Sequence, residues 1–298
     1  MTATLLGVCG CQSSKAPEAP SPEIFPAVSQ AKTPGGTHIY ALRTGWVNVK
    51  KNHRDLKVPS WWVLPAIFFG EWADWMPIIS YVVVHPEMTL LVDTGPERAI
   101  LQKNYYDCDP NAAFFYTRNL RFSVPPGDTL KERLQEIGMA PEQIDRVLIT
   151  HFHADHVGGL KDVAHARVST GSGNWPGHVG AFTCRLPAGF SPELLNFPEP
   201  FAESEALTTD GALHFISLPG HTPGHVGLSL KEGQKRWLMV GDATFDAVQS
   251  ASGNVAGVSE DMAQAREVQK KLHLAFEDPD TLVLPAHDVS VFERLVQF

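Results

Sequence analysis

The sequence predicts a layered α/β domain, and three features carry that expectation. Early in the chain, runs of β-branched residues pair around a short turn. Further on, strand-like runs alternate with helical patterns. Several apolar runs also end in a sharp turn followed by His or Asp, which gathers polar donors at the carboxyl ends of strands. With 43% hydrophobic and 19% charged residues, the 298-residue chain has the apolar content for a substantial core.

Taken in order, residues 1–11 are apolar and resemble the end of a bacterial lipoprotein signal, with Cys11 as the lipid-bearing residue. No Lys or Arg precedes that stretch. This predicts a lipid anchor through Cys11 and a place in the cell envelope or periplasm. The other reading is a frayed terminus of a cytoplasmic protein. Residues 12–37 carry Pro17, Pro20, Pro22, Pro26 and Pro34 among small and polar residues, which predicts a disordered linker and a folded domain over 38–298.

Ile78–His85 and Thr89–Val92 read as two strands around the turn at Pro86, Glu87 and Met88. Asp128 is the expected cap of a helix through Ile137, with Gly138 as its stop. Short strands follow at Arg146–Thr150, Leu213–Leu218, Val226–Leu230, Trp237–Val240 and Thr281–Leu284. A helix is expected over about Ser259–Phe276.

The net charge of -9 and the lack of any Lys/Arg run exclude a nucleic-acid binder, which needs a basic stripe to displace counterions. The cysteines are Cys9, Cys11, Cys108 and Cys184, too few for a disulfide framework and without a CxxC pair. A Cys108–Cys184 bridge is open if the protein is exported.

The informative stretch is Thr150-His-Phe-His-Ala-Asp-His-Val-Gly-Gly159. His151 and His153 project to one side of an extended chain, and Asp155 and His156 fall beside them as the chain turns. Imidazoles and a carboxylate crowded at a strand end suit zinc. Three later runs end likewise, at His221, Asp242 and His287. Open α/β sheets place their sites at such strand ends.

With these residues in view, the chain resembles the metallo-β-lactamase superfamily. The match rests on the His-x-His-x-Asp-His signature at 151–156, Gly-His-Thr-Pro-Gly-His at 220–225, the later Gly-Asp and Pro-Ala-His-Asp segments, and Leu91-Val-Asp-Thr-Gly95. The resemblance implies a four-layer αββα sandwich and two zinc ions per chain. One would be held by His151, His153 and His221, the other by Asp155, His156 and His287, with Asp242 bridging. His225 is not a ligand in this family.

Within the superfamily, Asp242 stands where true β-lactamases carry Cys or Ser. The glutathione-binding features of glyoxalase II are not visible. The layout Met76-Pro-Ile-Ile-Ser-Tyr-Val and the closing His287-Asp288 pair resemble the N-acyl-homoserine lactone lactonases, although Phe245 replaces the Tyr often found three positions after the bridging Asp. The expected activity is cleavage of a lactone or ester carbonyl by hydroxide held between two zinc ions, with Asp155 also orienting or accepting its proton. Asp93 is expected either to accept a ligand imidazole N–H or to cap a turn. The aromatic stretches Trp61–Trp75 and Tyr105–Phe122 are expected either to pack over the core or to line an apolar acyl cleft, with Trp72, Trp75, Phe115 and Phe245 as pocket residues. His53 lies near such a wall, while His38, His85, His165, His178, His214 and His273 fit no ligand pattern. Other readings stay open: a thioesterase or phosphotriesterase of this fold, a mononuclear iron sulfur-dioxygenase, or a non-catalytic metal-binding lipoprotein.

Overall fold

The computed structural model describes residues 19–20 and 25–298. The stretch expected to hold the lipoprotein signal, with Cys11, lies outside the described residues. In chain order the elements are β1 (Val28–Lys32), β2 (His38–Val49), α1 (Lys51–Arg54), α2 (Val63–Phe69), β3 (Met76–His85), β4 (Met88–Val92), α3 (Pro110–Asn119) and β5 (Leu120–Ser123). There follow α4 (Leu130–Glu136), β6 (Arg146–Leu148), α5 (Ala154–Val157), β7 (Arg167–Gly171), β8 (Glu193–Leu195), β9 (Leu213–Ser217), β10 (Val226–Glu232) and β11 (Lys235–Gly241). The chain closes with α6 (Ala247–Ser252), α7 (Met262–Glu277), β12 (Thr281–Pro285) and α8 (Val291–Gln297).

Two sheets result. The larger runs β1-β2-β3-β4-β6-β7-β8, with β5 also pairing β2, and the smaller runs β12-β11-β10-β9. Alternation along the strands sorts their side chains into layers. From the large sheet Ile79, Tyr81, Val83 and Leu90 meet Phe215, Leu228, Met239 and Leu284 of the small one. The opposite face of the large sheet, with Val82, Leu91 and Val147, packs on Leu130 and Leu134 of α4. The far face of the small sheet, with Leu238, Val240 and Val283, packs on Val268 and Leu272 of α7. Helix, sheet, sheet and helix make the αββα order. Among the described residues no helix is long and apolar enough to cross a membrane.

The fold corrects two expectations. Residues 12–37 are not linker throughout, because Val28–Lys32 pairs antiparallel with Lys32 opposite His38 and Val28 opposite Leu42. Just ahead of it, the carbonyls of Phe25 and Pro26 accept from the buried Arg43 guanidinium. The prolines there leave room for a short edge strand, which tolerates them at its start. Nor does Asp128 cap α4. Thr129 does, in a reciprocal capping box with Glu132. Asp128 is buried between Arg43 and Arg133, where its two partners satisfy a charge that could not be left alone in the core.

Candidate metal centre

Strand pairing brings the donors to one place. The parallel ladder of β4 on β6 sets Val92 beside Leu148, so Asp93 and Thr150 emerge side by side. The parallel pairing of β11 with β12 sets Gly241 beside Pro285, so Asp242 and His287 leave their strands together. The sheets meet at this end, where Ile79 N donates to Ala286 O and Val226 N to Thr150 O. Two glycines make the seam close-packed. Gly241 has a φ of 51° and a Cβ there would lie 2.8 Å from Thr150 Oγ1. At Gly220, just before His221, a Cβ would come within 2.4 Å of the Ala265 backbone nitrogen.

All residues expected to bind metal converge, in two groups. His151, His153, His221 and Asp242 form one, and Asp155, His156 and His287 the other. In the first, His151 Nε2 is 2.8 Å and His221 Nε2 3.3 Å from His153 Nδ1. Asp242 Oδ2 lies 3.9 Å from His151 Nε2 and 3.7 Å from His221 Nε2. The second oxygen of the same carboxylate, Oδ1, is 3.1 Å from His287 Nε2 and 3.4 Å from His156 Nε2. Asp155 Oδ2 completes that group at 3.6 Å and 3.8 Å from the same two nitrogens. Donors on one tetrahedral zinc at ~2.1 Å sit about 3.4 Å apart, so these separations fit an ion in each group. His156 Nε2 and Asp242 Oδ1 are buried with no hydrogen-bond partner, an expensive state that an ion between them would relieve.

Electrostatics prepare the imidazoles of the first group. Burial, reinforced by neighbouring imidazoles, holds His151 and His153 well below the usual histidine range, and burial takes His221 down to about 4. Neutral rings are the form that coordinates. Burial opposes ionisation of Asp242, but the rings of His287 and His156 outweigh it and keep the carboxyl well below its ordinary value.

Asp93 supports both groups. Its Oδ2 lies 2.8 Å from His156 Nδ1 and accepts from the Thr150 hydroxyl at 2.8 Å, while Oδ1 accepts from Thr150 N. The Thr150 hydroxyl in turn lies 3.0 Å from His151 Nδ1, so one carboxylate orients an imidazole on each side. His287 Nδ1 is 2.8 Å from Pro77 O, fixing its remaining nitrogen. His225 stays out of both groups. Its Nε2 accepts the backbone N–H of Asp242 at 3.2 Å, which holds the shared carboxylate in place. Sequence reasoning missed Thr150, whose one signal is its position between the strand and His151.

Over these donors lies a cavity of about 660 Å³. Its floor is His153, Asp155, His221, Asp242 and His287, and its wall includes Val47, Ile67, Met76, Phe115, Phe245 and Val258. No Lys or Arg is among the described residues lining it. Phe245 bridges floor and wall, its ring 5.3 Å from that of His287 and 6.3 Å from that of His221. His53 and His178 also line the cavity. For His178 the sequence held no signal; its Nε2 accepts the Phe152 N–H between two of the donor histidines.

The aromatic stretches divide differently from the expectation. Trp72 and Trp75 are not among the lining residues. Trp72 is drawn away by two cations, with Lys50 Nζ 3.9 Å and the Arg121 guanidinium 4.0 Å from its ring. Tyr105, Tyr106 and Phe182 form a buried cluster with Tyr116, which alone of these four reaches the cavity. A Cys108–Cys184 disulfide joins the loop before α3 to the loop after His178. Trp61, Trp62 and Phe69 are exposed.

Comparison with known proteins agrees with this architecture. The family model described as Metallo-beta-lactamase superfamily matches residues 73–287. A probable metallo-hydrolase of Mycobacterium tuberculosis is 26% identical over 68% of this chain and 75% of its own. An N-acyl homoserine lactonase of Agrobacterium fabrum is 24% identical over 74% of this chain and 83% of its own. Among solved structures, an N-acyl homoserine lactone hydrolase with N-hexanoyl-L-homoserine at its catalytic metal centre superposes with a TM-score of 0.68 at 16% identity, covering 90% of this chain and 96% of that one. The matched span carries every donor named above, and the chain belongs to the metallo-beta-lactamase superfamily.

Proposed function

We propose that this metal-dependent hydrolase is a dizinc enzyme that opens the carbonyl bond of a neutral lactone or ester bearing an apolar acyl chain, N-acyl-homoserine lactones being the leading candidates. The observation that carries the reading is the cavity: a floor of metal donors beneath an apolar wall without a Lys or Arg among its described lining residues. Glutathione thioesters and cyclic nucleotides are anions that such a wall has no cation to receive. A long acyl chain, by contrast, finds Ile67, Met76, Phe115 and Val258.

Two zinc ions would be held by His151, His153 and His221 on one side and by Asp155, His156 and His287 on the other, with Asp242 shared. Bound there, they supply a nucleophile from water near neutral pH and polarise a carbonyl. The chain's own part is positional. Asp93 and Pro77 O fix imidazole orientation, and His225 fixes the shared Asp242. Asp155, on the cavity floor, is placed to orient or take up a proton, and the apolar wall excludes water.

The test is zinc-loaded protein assayed against N-acyl-homoserine lactones, a glutathione thioester and a phosphotriester, with metal counted on the same sample. The lactones should turn over fastest, at about two zinc ions per chain. A faster thioester or phosphotriester would overturn the substrate assignment, and a single iron per chain would overturn the metal assignment.

We also propose export, on the ground that the Cys108–Cys184 bridge suits an oxidising compartment. If Cys11 is the anchor, Cys11→Ser should release the protein from membranes; a soluble wild type would refute it.

A further inference from the structure

Glu260 lines the cavity with one carboxylate oxygen hydrogen-bonded and the other without a hydrogen bond to any described residue. Oε1 accepts the backbone N–H of Val179 at 3.1 Å and lies 3.4 Å from His178 Nδ1. Because His178 Nε2 accepts from Phe152 N, the ring proton resides on Nδ1, and it points to Val179 O at 3.0 Å and to this carboxylate. The Glu260 backbone is tied down as well, its N–H donating to His221 O at 3.2 Å. Main chain and one oxygen are therefore fixed, while Oε2 makes no hydrogen bond to any described residue.

The side chain is 20% exposed, so the carboxylate is partly shielded from water. That burial pushes its pKa up, against the Val179 hydrogen bond. A half-satisfied, partly desolvated acceptor gains from any N–H donor that enters the cavity. Its position limits which one. Between Glu260 and the donor His153 lies a single imidazole, that of His178, whose ring is 5.2 Å from that of His153. Glu260 and the floor donors line one cavity, so an N–H on a substrate seated over the floor can reach this acceptor.

We infer that Glu260 is a specificity residue whose Oε2 accepts an N–H carried next to the scissile carbonyl, selecting amide-bearing lactones over lactones that have only an alkyl chain. The inference rests on the lactonase reading above and adds to it the group that distinguishes two lactones of equal apolar length.

Glu260→Gln tests it with the fold preserved, since the Gln carbonyl can still accept from Val179 while its NH2 replaces the free acceptor. Zinc-loaded wild type and variant would be compared on an N-acyl-homoserine lactone and on a γ-alkyl lactone of matched length. Binding of each ring-opened product would be measured by calorimetry. The variant should lose roughly tenfold or more in kcat/KM for the amide substrate, mainly through KM, and in affinity for its product. The alkyl lactone should be unaffected. Equal losses on both substrates would mean Glu260 is only a clamp for the 178–181 loop, and no loss on either would overturn the assignment. Wild type that opens neither lactone and binds neither product would instead overturn the lactonase reading, and this inference with it.

Discussion

The floor and the wall of the cavity are built on opposite plans. Floor residues His221, Asp242 and His287 are 3%, 6% and 5% exposed, each held at a strand end or the turn after it. The wall joins strand ends, Val47 of β2 and Met76 of β3, to short helices and loops, and its α2 carries Leu64, which touches the cavity yet is 67% exposed. A rigid donor set beneath a loosely covered wall divides labour: the floor sets what bond is broken, the wall sets which molecule presents it. The two should therefore respond to substitution in separable ways, losing metal and rate at the floor and selectivity at the wall.

The largest effect is expected at the shared carboxylate. Asp242→Ala removes a donor from both groups and leaves Asp155 as the carboxylate beside His156 and His287, so metal content should fall below one ion per chain. Turnover should drop roughly a thousandfold or more. His225→Ala loses only the acceptor for the Asp242 backbone N–H and should retain metal with a loss of about tenfold or less. Metal analysis beside steady-state rates checks both. Equal zinc loss in the two variants would show that His225 is a ligand after all and that the floor is drawn wrongly.

Next comes Asp93→Asn. Asn tolerates the left-handed backbone, φ 57°, at this position, so the substitution tests the side chain rather than the turn. One amide oxygen then replaces two oxygens that serve Thr150 N, Thr150 Oγ1 and His156 Nδ1. Metal affinity should weaken by about 10–100-fold, as when other outer partners of ligand histidines are removed. A competition titration against a chromophoric chelator measures it. Unchanged affinity would reduce Asp93 to a turn residue.

At the wall, Phe115→Ala should flatten the gain of kcat/KM with acyl length, a gain of at most ~0.8 kcal/mol per buried methylene. Trp72→Ala should leave that slope as it is, since the indole lies between Lys50 and Arg121 rather than in the cavity. A slope that depends on Trp72 and not on Phe115 would restore the pocket expected from sequence.

That contrast between Trp72 and Phe115 also shows how far the sequence can be read. The floor was legible because each donor sits within a few residues of the strand that carries it, so short-range pattern and donor chemistry coincide at 151–156, 221, 242 and 287. The layered α/β class followed from the same strands, and the four-layer sandwich from the family resemblance. The wall depends on which side of a short helix meets which distant cation or ring. Nothing near Trp72 announces that Lys50 and Arg121 will claim it. The strand at Val28–Lys32 was hidden for a similar reason, since proline-rich composition conceals a segment whose order comes from its partner β2. Glu260 and His178 were invisible because their roles arise only where separate loops meet.

Phe245→Tyr carries the smallest expected effect and probes the border between the regions. The ring is buried among Val47, Val49 and Met76 on one side and faces the rings of His287 and His221 on the other. A hydroxyl added there extends the ring by one polar atom without removing apolar contact, so the dependence on acyl length should persist. Its consequence for rate turns on where the phenol points. Directed at the floor, it can donate to a developing oxyanion and raise kcat on lactones by a few-fold. Directed into the Val47 side, it is a buried donor without a partner, costing about 1–3 kcal/mol and several degrees of Tm with no gain in kcat. Contact of the ring with His287 favours the first outcome. Rates over an acyl series together with a thermal melt separate the two, and a flattened length dependence in this variant would show that floor and wall are not independent at Phe245.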